Sequence, residues 1–161
     1  MTLVEREVAY IKKDEGFSGT PYYDTKNVLS IGWGHNLQDE PLPAMFQEFL
    51  DRHGYITEAM AEALLAKDLR DAEADCCKLF SNWPRIPVEI QGPLLNMAFN
   101  MGYDRFHSFE KLDACAEAGD WEGVAREMED SKWYRKDVPK RARRLVARVR
   151  NYIEKKKEKG T

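Results

Sequence analysis

The sequence has few cysteines, no long apolar run and no enrichment in proline or glycine. Its three cysteines, Cys76, Cys77 and Cys115, include an adjacent pair and lack zinc-ligand spacing, so neither a disulfide framework nor a zinc site is expected. No run approaches the ~18 apolar residues of a membrane-spanning helix. The 161 residues suffice for one hydrophobic core, and a folded globular domain is therefore expected.

The N-terminal stretch MTLVEREVAYIKKDEG carries charges where a secretory signal peptide has its apolar core. We therefore expect the protein to be made in the cytosol. A target outside the membrane would then be reached through another protein or by lysis.

Charge is distributed unevenly along the chain. Residues 1–134 hold 13 basic and 25 acidic side chains, whereas residues 135–161 hold 12 basic and three acidic ones. This polarity indicates an anionic partner at the C-terminal end, such as nucleic acid, a membrane surface or an acidic polymer. A solvated basic helix face is the alternative, and charge alone leaves both open.

Hydrophobic periodicity predicts a mostly helical chain with one small β element. Helices are predicted over 3–13 and 43–52, and a long helix begins after Thr57, which is a good N-cap. Strand formers around the turn sequence DTKN predict a hairpin or small antiparallel sheet over 20–34.

The second half of the chain is predicted to be helical. In VEIQGPLLNMAFNMG, Pro93 marks either the start of a helix or a kink within it. Shorter helices are predicted near 107–118 and 120–130, and PKRARRLVARVRNYI has one apolar face. The last eight residues, EKKKEKGT, are predicted to be frayed.

The stretch KKDEGFSGTPYYDTKNVLSIGWGHN contains two carboxyl groups and a hydroxyl, the types of group that glycosidic bond cleavage commonly needs. One carboxyl group must donate a proton to the leaving oxygen, and a second must activate water or attack the sugar. Glu15 follows the first helix, Asp24 lies in the hairpin, and Ser30 brings a hydroxyl to the next strand. By spacing alone, three solvated surface residues are the commoner interpretation.

The whole motif resembles the catalytic signature of the T-even-type bacteriophage lysozyme (endolysin) family, glycoside hydrolase family 24. The DEG, YD and IGWGH segments match the family pattern, and Ser30 replaces its threonine. Three further blocks agree in order along nearly the whole chain: ITEAMAEALLAKD, NMAFNMG and SKWYRKDVPKRARR.

The resemblance implies an α+β, mostly helical, two-lobed lysozyme-like fold. Residues 1–161 would form one lysozyme domain, with a long helix linking the lobes and a cleft between them. Residues 14–63 would form the small lobe with the antiparallel sheet, and residues 1–13 and 64–161 the helical lobe.

The resemblance also implies an endolysin that hydrolyses the β-1,4 bond between N-acetylmuramic acid and N-acetylglucosamine with inversion. Glu15 is then the general acid, Asp24 positions or activates the water, and Ser30 helps to hold that water. Inversion requires the two carboxyl groups to be about 6.5–9.5 Å apart. Serine lacks the methyl group that fixes the threonine rotamer, so a less rigid water site is expected.

The resemblance assigns His35 to a structural ion pair with Asp68 rather than to catalysis. A catalytic base is the less favoured role, because the mechanism already has two carboxyl groups. The ion pair would raise the pKa of His35.

In the second half of the chain, the resemblance identifies Asn100 as a cleft-lining amide where glutamine is common. Arg141 matches an arginine that faces the catalytic glutamate. Phe99 is a candidate to line the cleft, although a core position is favoured. Trp133 and Tyr134 are expected to be packing anchors rather than sugar platforms.

The expected partner is bacterial peptidoglycan, and no metal, cofactor, nucleic acid or membrane anchor is implied. A monomer is expected to act from the host cytoplasm on the wall after a separate holin permeabilises the membrane. Two alternatives remain: a lytic transglycosylase, which needs one glutamate and no held water, and a non-catalytic module that binds cell wall or nucleic acid through KRARRLVARVR. Under the enzyme interpretation, that basic helix would raise the local enzyme concentration at the anionic wall.

Overall fold

A computed structural model describes residues 1–160 of the chain. It is a mostly helical α+β protein with a three-stranded antiparallel sheet, which confirms the predicted fold class. The strands are β1 (Ser18–Tyr23), β2 (Leu29–Gly32) and β3 (His35–Asn36). The helices are α1 (Leu3–Asp14), α2 (Ala44–His53), α3 (Glu58–Leu79), α4 (Val88–Met101), α5 (Tyr103–His107), α6 (Glu110–Ala118), α7 (Trp121–Glu129) and α8 (Pro139–Glu158).

The chain divides into two compact units, Met1–Arg70 and the part from Asp71 onward. The boundary falls inside α3, the longest helix, whose start is capped as predicted by the Thr57 hydroxyl, which accepts the Met60 N–H at 3.1 Å. The predicted lobe boundaries differ from these units and stay a prediction.

In the first unit, the N-terminal helix α1 ends just before Glu15, which lies close in sequence to the start of the sheet. A capping box between Thr2 and Glu5 begins α1, because each side chain accepts a backbone N–H of the other residue. The helix ends when the Glu15 N–H donates to the Ile11 carbonyl at 2.8 Å and the backbone of Glu15 becomes extended. Glu15 thus lies one residue beyond the helix and three before β1.

The sheet has the order β1-β2-β3, with both neighbouring pairs antiparallel. The turn between β2 and β3 needs glycine, because Gly32 and Gly34 have φ angles of +70° and +85°. A Cβ atom at Gly32 would also lie 3.0 Å from the Cβ of Ala61 on α3. This turn places His35 directly opposite Ile31.

In the second unit, α4 runs without interruption through Pro93, which is buried, so a helix start at Pro93 is ruled out. A π-helical turn over Trp133–Asp137 precedes α8 and is closed by the Val138 N–H donating to the Trp133 carbonyl at 3.1 Å. The apolar face of α8 is buried as predicted and consists of Ala142, Leu145, Val146, Val149 and Ile153.

The C-terminal end corrects one expectation. The last eight residues are predicted to be frayed, but α8 continues through Glu158, and Thr161 lies outside the described residues. Within residues 1–160, no helix has both the length and the apolar character needed to cross a membrane.

Candidate active site

Glu15 is the first candidate catalytic group of the first unit. Its side chain is half-buried just beyond the end of α1. Gly16 and Phe17, which follow it, are both exposed to solvent. Since α1 ends at Asp14 and β1 begins at Ser18, Glu15 lies in the short connection between the helix and the sheet. A partly shielded carboxyl group near solvent suits the donation of a proton to a bound substrate.

Asp24 organises the turn between β1 and β2. Its Oδ1 accepts the backbone N–H groups of Lys26 at 2.8 Å and Val28 at 2.9 Å. The side chain is exposed, and its Oδ2 makes no hydrogen bond to any of residues 1–160. One oxygen therefore fixes the carboxylate while the other is available to water.

Ser30 lies on β2 on the same face of the hairpin as Asp24. In the register, Tyr22 is opposite Ser30, and the Asp24 N–H extends the ladder by donating to the Val28 carbonyl at 3.0 Å. Directly opposed residues share a face, so Asp24 and Ser30 are diagonal neighbours about 7–8 Å apart. The structure thus brings the predicted water-holding pair to one face.

The Ser30 hydroxyl is almost completely buried, with 2% of the residue exposed. Its Oγ donates to the Val28 carbonyl at 3.1 Å, which uses its single proton. The lone pairs of Oγ are not used by this bond and can act as acceptors.

The predicted partners His35 and Asp68 lie together in the first unit. His35 Nδ1 is 2.8 Å from Asp68 Oδ2, and His35 Nε2 is 2.9 Å from the Glu40 carbonyl oxygen. Burial by itself lowers the pKa of His35, but the hydrogen bond and charge of Asp68, with a further contribution from Glu40, raise it above its ordinary value. The Glu40 carbonyl was missed because a backbone acceptor leaves no mark in the sequence.

The same cluster contains three groups able to ligate a metal: His35, Glu40 and Asp68 offer donor atoms within 4.8 Å of one another. However, both ring nitrogens of His35 are engaged, and the Glu40 carboxylate pairs with Lys67 Nζ at 2.6 Å. Both ring nitrogens of His35 and one carboxylate oxygen each of Asp68 and Glu40 are therefore already engaged within the first unit.

The remaining candidates lie in the second unit. Asn100 is half-buried at the end of α4, and its Oδ1 accepts the Trp133 Nε1–H at 2.9 Å. Trp133 is only 1% exposed, so it anchors the amide as well as packing in the core. Phe99 and Arg141 are both half-buried, the latter in the first turn of α8.

Comparison with known proteins adds to this geometry. The family model for phage lysozyme matches residues 12–151. The chain is 31% identical over 138 residues to the pre-baseplate central spike protein Gp5 of Enterobacteria phage T4, covering 77% of this chain and 24% of that protein. It is 24% identical over 155 residues to the probable T4-type lysozyme 1 of Dictyostelium discoideum, covering 85% of this chain and 89% of that protein.

The mostly helical α+β fold with its small three-stranded antiparallel sheet is a lysozyme-like fold. The chain belongs to the phage lysozyme family, which confirms the resemblance seen in the motifs. It spans about a quarter of the length of the phage spike protein and most of the length of the Dictyostelium protein.

Proposed function

We propose that the protein is a lysozyme that hydrolyses the β-1,4 bond between N-acetylmuramic acid and N-acetylglucosamine in peptidoglycan, with inversion at the anomeric carbon. The observation that carries this proposal is the shared face of Asp24 and Ser30, which the strand register gives. We place one water molecule there, between Asp24 Oδ2 and Ser30 Oγ. Membership of the phage lysozyme family supports the same chemistry.

In the proposed reaction, Glu15 donates its proton to the glycosidic oxygen as the bond to the anomeric carbon breaks. The water molecule held by Asp24 Oδ2 and Ser30 Oγ attacks the opposite face of that carbon and gives its proton to Asp24. The turn N–H groups of Lys26 and Val28 keep the carboxylate in place during the attack. Transfer of that proton to solvent, with reprotonation of Glu15, restores the enzyme.

Three residues of the second unit are proposed to position the glycan. The Trp133 Nε1–H donates to the side-chain carbonyl oxygen of Asn100. The amide N–H₂ group of Asn100 is then the donor to a sugar oxygen. Phe99 offers an apolar ring, and Arg141 a guanidinium group for an anionic group of the substrate. We further propose that the protein acts as a monomer and reaches the wall from the cytoplasm after a separate holin permeabilises the membrane.

Turnover of purified peptidoglycan by Glu15→Gln tests the acid assignment. We expect a loss of at least about a hundredfold, the usual contribution of a general acid. Asp14→Asn is the matched control, because Asp14 is the adjacent exposed carboxylate, and it should retain turnover. More than half of wild-type activity in Glu15→Gln would remove Glu15 from this role.

The first product should be read by NMR. An inverted anomer supports attack by a held water molecule, whereas a 1,6-anhydro ring identifies a lytic transglycosylase and overturns the proposal for Asp24 and Ser30. Peptidoglycan binding without hydrolysis by the wild type would identify a non-catalytic wall-binding module.

A further inference from the structure

A group of exposed cations in the second unit has no part in the proposed chemistry. The stretch from residue 132 to residue 148 contains eight basic side chains and one acidic side chain. Five of the basic residues are exposed to solvent, and we call them the cationic surface: Lys132, Arg135, Lys136, Lys140 and Arg143.

Only part of this charge is neutralised locally. Arg135 lies 3.1 Å from Asp130 Oδ1, and Lys132 lies 3.9 Å from Asp137 Oδ1. Lys136, Lys140 and Arg143 make no ion pair and no hydrogen bond through their side chains within residues 1–160. Three positive charges therefore face solvent without an internal partner.

Helix geometry concentrates these charges. The face of α8 that includes Ala142, Leu145 and Val146 is buried. Lys140 and Arg143 lie on the exposed side, three residues apart, so their Cβ atoms are about 5–6 Å from each other. A polyanion can therefore contact neighbouring cations at the same time.

The surroundings of the cationic surface narrow the choice of partner. The two aromatic residues between 132 and 148 are Trp133, which is 1% exposed, and the half-buried Tyr134. Base stacking on single-stranded nucleic acid needs exposed rings, which this stretch does not offer among its described residues. The exposed positions of the stretch also lack the large apolar side chains that insert into a membrane interface.

We propose that the cationic surface docks the free carboxylates of peptidoglycan stem peptides and so holds the protein on the wall between cleavage events. This inference rests on the proposed function, because that function makes peptidoglycan the substrate. Charge complementarity supports it, since Lys136, Lys140 and Arg143 have no ion-pair partner within residues 1–160 and the polymer carries many carboxylates. A field of this kind raises the local concentration of the protein and weakens with added salt.

Binding is best measured on the full chain carrying Glu15→Gln, so that the wall is not consumed. The test variant adds K136Q, K140Q and R143Q. The control adds R85Q, K111Q and K155Q, which removes three exposed charges of the same unit outside the cationic surface. In cosedimentation with purified sacculi at low salt, we expect the test variant to bind about tenfold more weakly and the control to bind nearly as well as the parent.

Chemical amidation of the sacculi should remove the difference between the two triple variants, because the carboxylates are then neutral. Equal weakening in both variants, or an unchanged difference on amidated sacculi, would overturn the proposal. A loss of binding by the test variant to DNA or anionic vesicles, with none to sacculi, would assign the surface to those partners and overturn it as well.

Hydrolysis separates this inference from the proposed function. With Glu15 intact, both triple variants should cleave peptide-free glycan strands at the wild-type kcat. If the wild type cleaves no glycan, the proposed function is wrong. The cosedimentation of the two triple variants then still decides whether the cationic surface binds the wall. A lowered kcat in the test variant alone would place the surface in the catalytic machinery and contradict a docking role.

Discussion

The charged groups of the first unit and those of the cationic surface in the second unit differ in how far internal hydrogen bonds hold them in place. In the first unit, two backbone N–H groups fix the Asp24 carboxylate of the hairpin, and both ring nitrogens of His35 on β3 are engaged in hydrogen bonds. On the cationic surface, Lys140 and Arg143 have no internal partner within residues 1–160. The first arrangement fixes the positions of the Asp24 and His35 side chains, whereas the second produces a positive electrostatic potential at the surface.

This difference determines how each region should respond to change. A fixed group acts through geometry, so removing it should alter turnover or folding at any salt concentration. A free surface charge acts at a distance, so removing it should alter a salt-dependent association and leave the fold unchanged. Substitutions of Asp24, Asp68 and Ser30 test whether the fixed groups of the first unit behave in the first way.

The largest effect in the hairpin is expected from Asp24→Asn. Asparagine keeps the oxygen that accepts from Lys26 and Val28, but an amide cannot take a proton from the attacking water. We expect kcat to fall by about 10²–10⁴ with little change in the melting temperature. The salt dependence of sacculus binding should stay that of the parent.

Asp39→Asn is the control for this substitution. Asp39 is another exposed carboxylate of the first unit, and its Oδ2 accepts from Asn36 at 2.9 Å. Full activity in Asp24→Asn, or an equal loss in Asp39→Asn, would refute a specific role for Asp24 in water activation.

The His35–Asp68 pair should control stability rather than turnover. Asp68→Asn removes the charged partner of a histidine that is 4% exposed, and we expect a loss of about 3 kcal/mol in the free energy of unfolding near pH 5.5. The folded pKa of His35 is raised, so its contribution is complete below the unfolded pKa of about 6.5 and is lost as pH rises through the folded value. Urea unfolding should show the difference from wild type shrinking by pH 8.5, and a pH-independent difference would contradict the pairing.

The parts of the fold that depend on local signals could be predicted from the sequence. Thr57 identified the start of α3, the DTKN turn identified the hairpin, and the apolar spacing of α8 identified its buried face. Pro93 was harder to interpret, because a proline inside a helix normally costs a hydrogen bond, and only tertiary packing decides whether the helix continues.

The candidate site was predictable where it depends on side-chain identity and strand parity. Asp24 and Ser30 share a face because the turn length and the two-residue period of a strand require it. The Glu40 carbonyl beside His35 and the hydrogen bond from Trp133 to Asn100 depend on contacts between distant segments, so no local pattern indicated them.

The smallest effect in the hairpin is expected from Ser30→Ala, because it removes one hydrogen bond to the water and leaves both carboxyl groups. A bond of about 1.4 kcal/mol corresponds to a kcat about tenfold lower. Ser18→Ala is the matched control, since the Ser18 hydroxyl also donates to a carbonyl two residues away, that of Thr20 at 2.8 Å. Ser30→Thr should retain kcat because it keeps the hydroxyl. Wild-type turnover in Ser30→Ala would show that the Asp24 carboxylate positions the water without the hydroxyl, and the hairpin would then fix one group rather than two.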